Sequence, residues 1–223
     1  MKNKSFVSLA VLTIVICCLP AAHAAAQADV VTVGSVTAAG AVVDVPVYIR
    51  DTSGTPVGID QPAGSRIEAY SIKVNYPAAS VQSITFSRAG ITASRTPTFE
   101  NAPASSGSIS LIDTFSEATN LLPFTSNAAL PGDQVAHLMV TLAPGVTPGT
   151  VVPLTLDVVL TQVANEAGTM QETVANTQLT LVNGAITVPP GFVWSIPATS
   201  TITLALLAIT LAAMAAIALR TRS

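Results

Sequence analysis

Residues 41–50 read Ala-Val-Val-Asp-Val-Pro-Val-Tyr-Ile-Arg. In an extended chain Val43, Val45, Val47 and Ile49 fall on one face, with Asp44, Pro46 and Tyr48 on the other. A period of two with β-branched residues on one side marks a half-buried strand. The pattern recurs along the chain. In 135–142, Ala136, Leu138, Val140 and Leu142 share a face. Working outward gives nine β-rich runs: 30–36, 41–50, 67–75, 80–87, 108–113, 135–142, 151–160, 172–182 and 185–188. No segment of helical length carries a clean 3.6-residue period. The breaks carry turn chemistry, as in Asp51-Thr52-Ser53-Gly54, Ala143-Pro144-Gly145 and Thr147-Pro148-Gly149. Asn183-Gly184 lies between two β-rich runs and predicts a type I′ hairpin. Many short strands joined by tight turns predict an all-β, antiparallel sandwich. Pro46 and Pro153 place their strands at an edge or a bulge. Two connections are long, 88–107 and 114–134, and loops of that length are often functional.

The two ends read differently. Lys2 and Lys4 precede an apolar run broken at Pro20, and two A-x-A patterns follow. This predicts a secretory signal peptide over 1–24, with Ala24 and Ala26 as candidate cleavage residues. Residues 202–219 carry no charge. As a helix they would reach about 27 Å, enough to span a bilayer core. Arg220 and Arg222 follow as a basic stop, so residues 220–223 form a cytoplasmic tail and the remainder is exported to the cell envelope or surface. Between them, residues 191–201 read as a linker. It holds Trp194, placed as an interfacial anchor, and the stretch Ile196, Pro197, Ala198, Thr199 and Ser200. The folded domain is then 25–190.

Charge narrows the function. Only 9% of the chain is charged, against about 25% in ordinary soluble domains. Between the two ends lie five basic residues (Arg50, Arg66, Lys73, Arg88, Arg95) and all twelve acids, a formal charge of −7. No basic stripe exists, which removes the electrostatic footprint of nucleic-acid binding. Both cysteines, Cys17 and Cys18, lie in the leader. The exported part has no disulfide, thiolate nucleophile or cysteine metal site. His137 is its one histidine, so no catalytic residue can be named, and a solvated strand position is the simpler reading. Paired carboxylates could serve glycoside hydrolysis, but Glu100, Asp113 and Glu117 show no telling spacing, and surface solubility is the simpler role. Asp51 and Asp60 flank a Gly- and Pro-containing loop without a D-x-[DN]-x-[DN]-G run, so no metal or cofactor is expected. The rings of Tyr48, Tyr70, Tyr76, Phe86, Phe99, Phe115 and Phe124 sit in or beside strand runs and read as core, while Phe192 and Trp194 are placed beside the membrane.

Several stretches in order carry a family likeness. They are Val42-Val43-Asp44-Val45-Pro46-Val47-Tyr48-Ile49, Ala69-Tyr70-Ser71-Ile72-Lys73-Val74-Asn75-Tyr76-Pro77, Gly132-Asp133-Gln134-Val135-Ala136-His137-Leu138-Met139-Val140, Pro148-Gly149-Thr150 and Val182-Asn183-Gly184-Ala185-Ile186-Thr187-Val188. Their order and spacing resemble the cohesin domain family over about residues 29–188. The resemblance implies a nine-stranded jelly-roll β-sandwich without catalytic activity. It implies a protein partner, which in cellulosomes is the dockerin module of a polysaccharide-degrading enzyme. The fold is also similar to a group of carbohydrate-binding modules, so polysaccharide binding is the alternative. Tyr76 abuts Pro77 where the family often has an intervening Asp. The stretch 196–200 with its span and basic tail resembles bacterial C-terminal sorting signals of the IPTL and LPxTG types. An exposed stripe of rings would favour sugar. An apolar, hydroxyl-rich face without rings would favour protein. A carboxylate pair in a cleft would favour an enzyme.

Overall fold

The computed structural model of the chain describes residues 27–193. Ala24, Ala26, Trp194, the 196–200 motif, the 202–219 span and Arg220 and Arg222 lie outside them. Among the described residues, no helix is long and apolar enough to cross a membrane.

Two sheets pack face to face. The first has five strands: β1 (Asp29–Val33), β3 (Val42–Arg50), β5 (Val81–Arg88), β9 (Asp133–Leu142) and β13 (Leu179–Val182), in the order β13-β1-β3-β9-β5. The second is built on β4 (Ala69–Asn75) between β8 (Ser108–Thr114) and β10 (Val151–Leu156). Beyond β10 come β14 (Gly184–Thr187) and β2 (Ser35–Thr37). Short strands complete it: β6 (Phe99–Asn101) and β7 (Ala104–Ser105) on β8, β11 (Gln162–Ala164) on β4, and β12 (Gln171–Thr173) on β11. The one α-helical element among the described residues is the single turn α1 (Glu117–Asn120).

The alternation predicts the core correctly. Val43, Val45, Val47 and Ile49 point inward from β3, and Leu138, Val140 and Leu142 from β9. They meet Tyr70, Ile72 and Val74 of β4, Ile109 and Leu111 of β8, and Val152, Leu154 and Leu156 of β10. Each such aliphatic side chain contributes about 1.5–3 kcal/mol by leaving water. A bulge opposite Val47 and Tyr48 lets Val135 and Ala136 both face inward although they are consecutive.

Five departures from the sequence reading have physical causes. The run 30–36 is two strands, because the chain leaves the first sheet at Gly34 and enters the second. Asn183-Gly184 is not a hairpin turn: β13 lies in the first sheet and β14 in the second, so the chain crosses there too. The sandwich is therefore not wholly antiparallel, since β1 pairs parallel with β13 and β2 with β14. The run 151–160 ends at Leu156 and 172–182 is split, with a turn at Thr177 (φ 62°). Finally, Pro46 sits in a central strand. Its carbonyl accepts from Gly34 N–H (2.8 Å), so its nitrogen faces the point where the neighbouring strand departs and no ladder bond is lost. Pro153 meets the edge expectation: β10 pairs with β4 only at Thr155 and Leu156, leaving that flank of Pro153 open.

The two crossings touch. A Cβ on Gly184 would collide with the carbonyl oxygen of Gly34 and lie 2.7 Å from that of Val33. Gly184→Ala is expected to lower stability by about 2 kcal/mol, as overpacking against backbone does. Urea midpoints check this. An unchanged midpoint would show that the crossing tolerates a methyl group.

Candidate functional site

His137 has Asp44, and none of the candidate carboxylates, as its acidic partner. His137 stands on the open outer face of the first sheet, with Nδ1 2.6 Å from Asp44 Oδ1 and the Gln134 amide 3.3 Å from Nε2. Glu100 is paired to Arg88 (2.6 Å), which reaches over from β5. Glu117 faces Arg66 at 3.6 Å. Asp113 is buried and accepts a 2.8 Å bond from the Tyr70 hydroxyl. Burial pushes its carboxyl up to about 6, and the Tyr70 bond opposes this. Glu100 stands opposite Asp113 across β6 and β8 and adds to the rise of its carboxyl, but Glu100 itself is tied to Arg88, and Glu117 is held apart by Arg66.

Asp113, with Glu100 and Glu117, was expected to be a surface group. The structure corrects this: Asp29, Asp51, Glu68, Asp113 and Glu172 are fully buried. Four of them hold loops by accepting backbone N–H bonds. Asp29 takes Thr52 N–H (2.7 Å), Asp51 takes Ile59 N–H (2.7 Å), and Glu172 takes Val57 N–H (2.9 Å). Glu68 takes Leu122 N–H on both oxygens (3.2 Å each). A loop backbone group buried without a partner costs about 1–3 kcal/mol, so these contacts matter to the fold. They gather segments 51–68, 115–132 and 165–178 into a cap at one end of the sandwich. Exposed groups tie the cap further: Gly64 N–H to Glu117 (2.7 Å), Glu117 N–H to Glu166 (2.8 Å), and Ser53 Oγ to Ser126 Oγ (2.6 Å). Burial, then the neighbouring Glu172 carboxylate, pushes Asp29 up to about 9. Asp29 and Glu172 bond each other through their side chains, which two ionised carboxylates cannot do, so the pair holds a proton. It is sealed from solvent rather than set in a cleft.

The face that stands out is the outer side of the second sheet. Between β10 and β11 the chain makes a knuckle, 157–161, that exposes three consecutive aliphatic side chains. Val158, Val159 and Leu160 are 60, 74 and 49% exposed. The knuckle is held firmly. Asp157 Oδ1 accepts from Val159 and Leu160 N–H (3.0 Å each), Thr161 N–H returns to the Asp157 carbonyl (3.0 Å), and Ser71 Oγ donates to the Leu160 carbonyl (2.9 Å). Those Leu160 and Val159 amides hold the Asp157 carboxyl below its usual range. Lys73 pairs with it at 3.6 Å. Beside the knuckle lies a shallow cleft of about 210 Å³ whose lining mixes small and hydroxyl residues (Ala69, Ser71, Thr114) with Tyr70 and the acids Asp113 and Glu166. Sequence alternation missed the knuckle because 151–160 is uniformly β-rich; the signal available was Asp157 followed by three apolar residues and Thr161.

Among the described residues the rings make no stripe. Tyr70, Phe115, Phe124 and Phe192 are buried, and Phe86 and Tyr76 pack against the core. Phe192, placed beside the membrane by sequence, packs into the core instead. Phe99 alone among the described rings is a large exposed surface, and it lies on β6. Asp51 and Asp60 do come together. Gly58 lies between them: a Cβ there would be 2.7 Å from Asp51 Oδ1 and 2.8 Å from Asp60 Oδ1. No three His, Cys, Asp or Glu side chains form a metal-binding group among the described residues.

No protein-family model matches the chain, and no curated protein matches it. Solved structures do. The third cohesin ScaC of Acetivibrio cellulolyticus, solved with the ScaB dockerin, gives a TM-score of 0.51 at 20% identity, over 72% of this chain and 99% of that one. CaCohA2 of Clostridium acetobutylicum, solved with CaDoc0917, gives 0.50 at 21% over 72% and 99%. The sixth cohesin of Acetivibrio cellulolyticus scaffoldin B, solved with a Cel5 dockerin, gives 0.50 at 12% over 73% and 99%. The chain has a cohesin-like fold.

The cap carries a pH signature. Burial pushes Glu68 up to about 7; the Leu122 N–H opposes this, and Glu117 and Glu166 add to it. Folded Glu68 keeps its proton to higher pH than the unfolded chain does. Its contribution is complete below about pH 4.5 and is lost as pH rises through 7, by at most about 3 kcal/mol. Glu68→Gln should flatten this decline in urea midpoints taken at pH 5 and pH 8. Parallel profiles for variant and parent would contradict it.

Proposed function

We propose that the chain is a non-catalytic binding module whose partner is a protein, docked on the outer face of the second sheet. The observation that carries this is the knuckle, three adjacent aliphatic side chains held out by a hydrogen-bonded turn beside a shallow cleft of mixed small, polar and acidic residues. Fixed apolar side chains at the centre of a patch are what protein partners bury. The absence of a ring stripe among the described residues weighs against polysaccharide as the ligand. The cohesin-like fold supports the same reading, and a dockerin-type module is the first partner to try.

The sequence adds where the module works. We propose export through the 1–24 leader, with processing near Ala24 or Ala26. The 202–219 span and its basic stop then retain the chain in the cell envelope, with or without cleavage at 196–200. Val188 N–H bonds the Thr150 carbonyl, and Thr187 pairs with Val151. Residue 193 therefore leaves the sandwich at the end opposite the loop cap. That geometry would hold the second sheet's face clear of a membrane.

The test is binding by the chain to a panel of dockerin modules and to a polysaccharide array, repeated with Val159→Asp and Leu160→Asp. Both positions are exposed, so folding should be retained. Each substitution is expected to weaken protein binding at least tenfold and leave stability within about 0.5 kcal/mol. Protein binding indifferent to both substitutions would move the site elsewhere. Polysaccharide binding without any protein partner would reverse the reading.

A further inference from the structure

The loop 51–60 holds more negative charge than its surroundings balance. Asp51 and Asp60 lie on it, and Asp29 and Glu172 are buried against it. No Lys or Arg among the described residues forms an ion pair with any of the four. Arg50, the nearest cation in sequence, is spent on the Ala128 carbonyl (2.7 Å) and the Thr52 hydroxyl (3.1 Å). The Asp29–Glu172 pair answers its own charge by holding a proton. Burial pushes the Asp51 carboxyl up as well, the Ile59 N–H opposing and Asp60 and Asp133 adding to it, but its Oδ1 bonds no neighbour.

The two loop carboxylates are aimed. Asp51 Oδ2 is fixed by Ile59 N–H (2.7 Å) and Asp60 Oδ2 by Gly54 N–H (3.1 Å). Each therefore turns its Oδ1 to the same place beside Gly58. Their distances of 2.7 and 2.8 Å from one point there put the two oxygens no more than 5.5 Å apart. A calcium ion with Ca–O distances of about 2.3–2.6 Å spans up to roughly 5 Å between opposed ligands. Asp51 is fully buried, yet its Oδ1 has no hydrogen-bond partner. A buried anionic oxygen left unpaired is costly, and the cost falls if a cation meets it. Gly58 leaves the space, since any side chain would place its Cβ against both oxygens.

We propose that Asp51 and Asp60 bind one calcium ion over Gly58, which closes the 51–60 loop and stiffens the cap. Asp60 is exposed, so the ion enters from solvent and keeps several waters. With two carboxylates rather than three or four, the site belongs to the weak class, with Kd of about 0.1–1 mM, as in extracellular modules. Magnesium, which demands tight octahedral geometry, is the poorer fit.

The test uses the whole chain, purified in nonionic detergent and stripped with EDTA. Calorimetric titration with CaCl2 should give one site in the stated range, and 5 mM CaCl2 should raise Tm by several degrees. The same concentration of MgCl2 should raise it much less. Asp60→Asn keeps the Gly54 contact and removes the charge; it should weaken calcium binding at least tenfold while leaving the EDTA-treated Tm near that of the parent. Equal responses to calcium and magnesium, an equal calcium response in Asp60→Asn, or no heat up to 10 mM CaCl2 would each overturn the proposal.

Discussion

The structure depends on one close approach: the backbones of Gly34 and Gly184 meet where the first and last parts of the chain change sheets. Because both cross at one level, β1 lies parallel to β13 in one layer and β2 lies parallel to β14 in the other. The ends of the domain are thereby stitched to each other and to both layers. Much follows from it. Parallel pairing sets Asp29 opposite Leu179, at the end where the loops gather. β14 holds the first part of β10, and β4 takes over at Thr155 and Leu156, just before the chain turns out as the knuckle. Pro46 is tolerated in a central strand because Gly34 departs beside it.

Charge is used with the same economy. A domain with twelve acids and five bases would ordinarily spread them over its surface. Here five acids are inside, four of them bonded to loop amides. Burying a carboxylate is unfavourable unless it is protonated or well bonded. The loops in turn would strand their N–H groups without these acceptors. Each cost offsets part of the other. The charges that remain outside are largely paired, as in Asp44–His137, Arg88–Glu100 and Lys73–Asp157.

What could be read from the sequence followed from period. Val43, Val45, Val47 and Ile49 alternate because a sheet has two faces, and that information is local. The unread features were long-range. Asn183-Gly184 has ideal hairpin chemistry, but its two flanking strands find better partners in different sheets, and Gly184 is needed for contact with Gly34. The burial of Asp29 and Glu172 depends on residues 143 positions apart meeting across the cap, which no local pattern encodes. The knuckle hid inside a β-rich run, because Val158, Val159 and Leu160 have the composition of a strand and the exposure of a loop. Most ring positions were legible as core; Phe99, read as core, is exposed on the short strand β6, Tyr48 lies on the outer face of β3, and Phe192 joins the core only after the last strand has ended.

On the proposed reading the second sheet's knuckle side, and not the first sheet's outer face, meets a partner protein. Photo-crosslinking tests it directly, with a benzophenone side chain placed at residue 159 in one variant and at residue 42 in another. Val42 is a fair control because it is also an exposed valine on a strand, but on the opposite face of the sandwich. With a bound protein partner, a covalent adduct is expected from position 159 and none from position 42. An adduct from position 42 alone would contradict it.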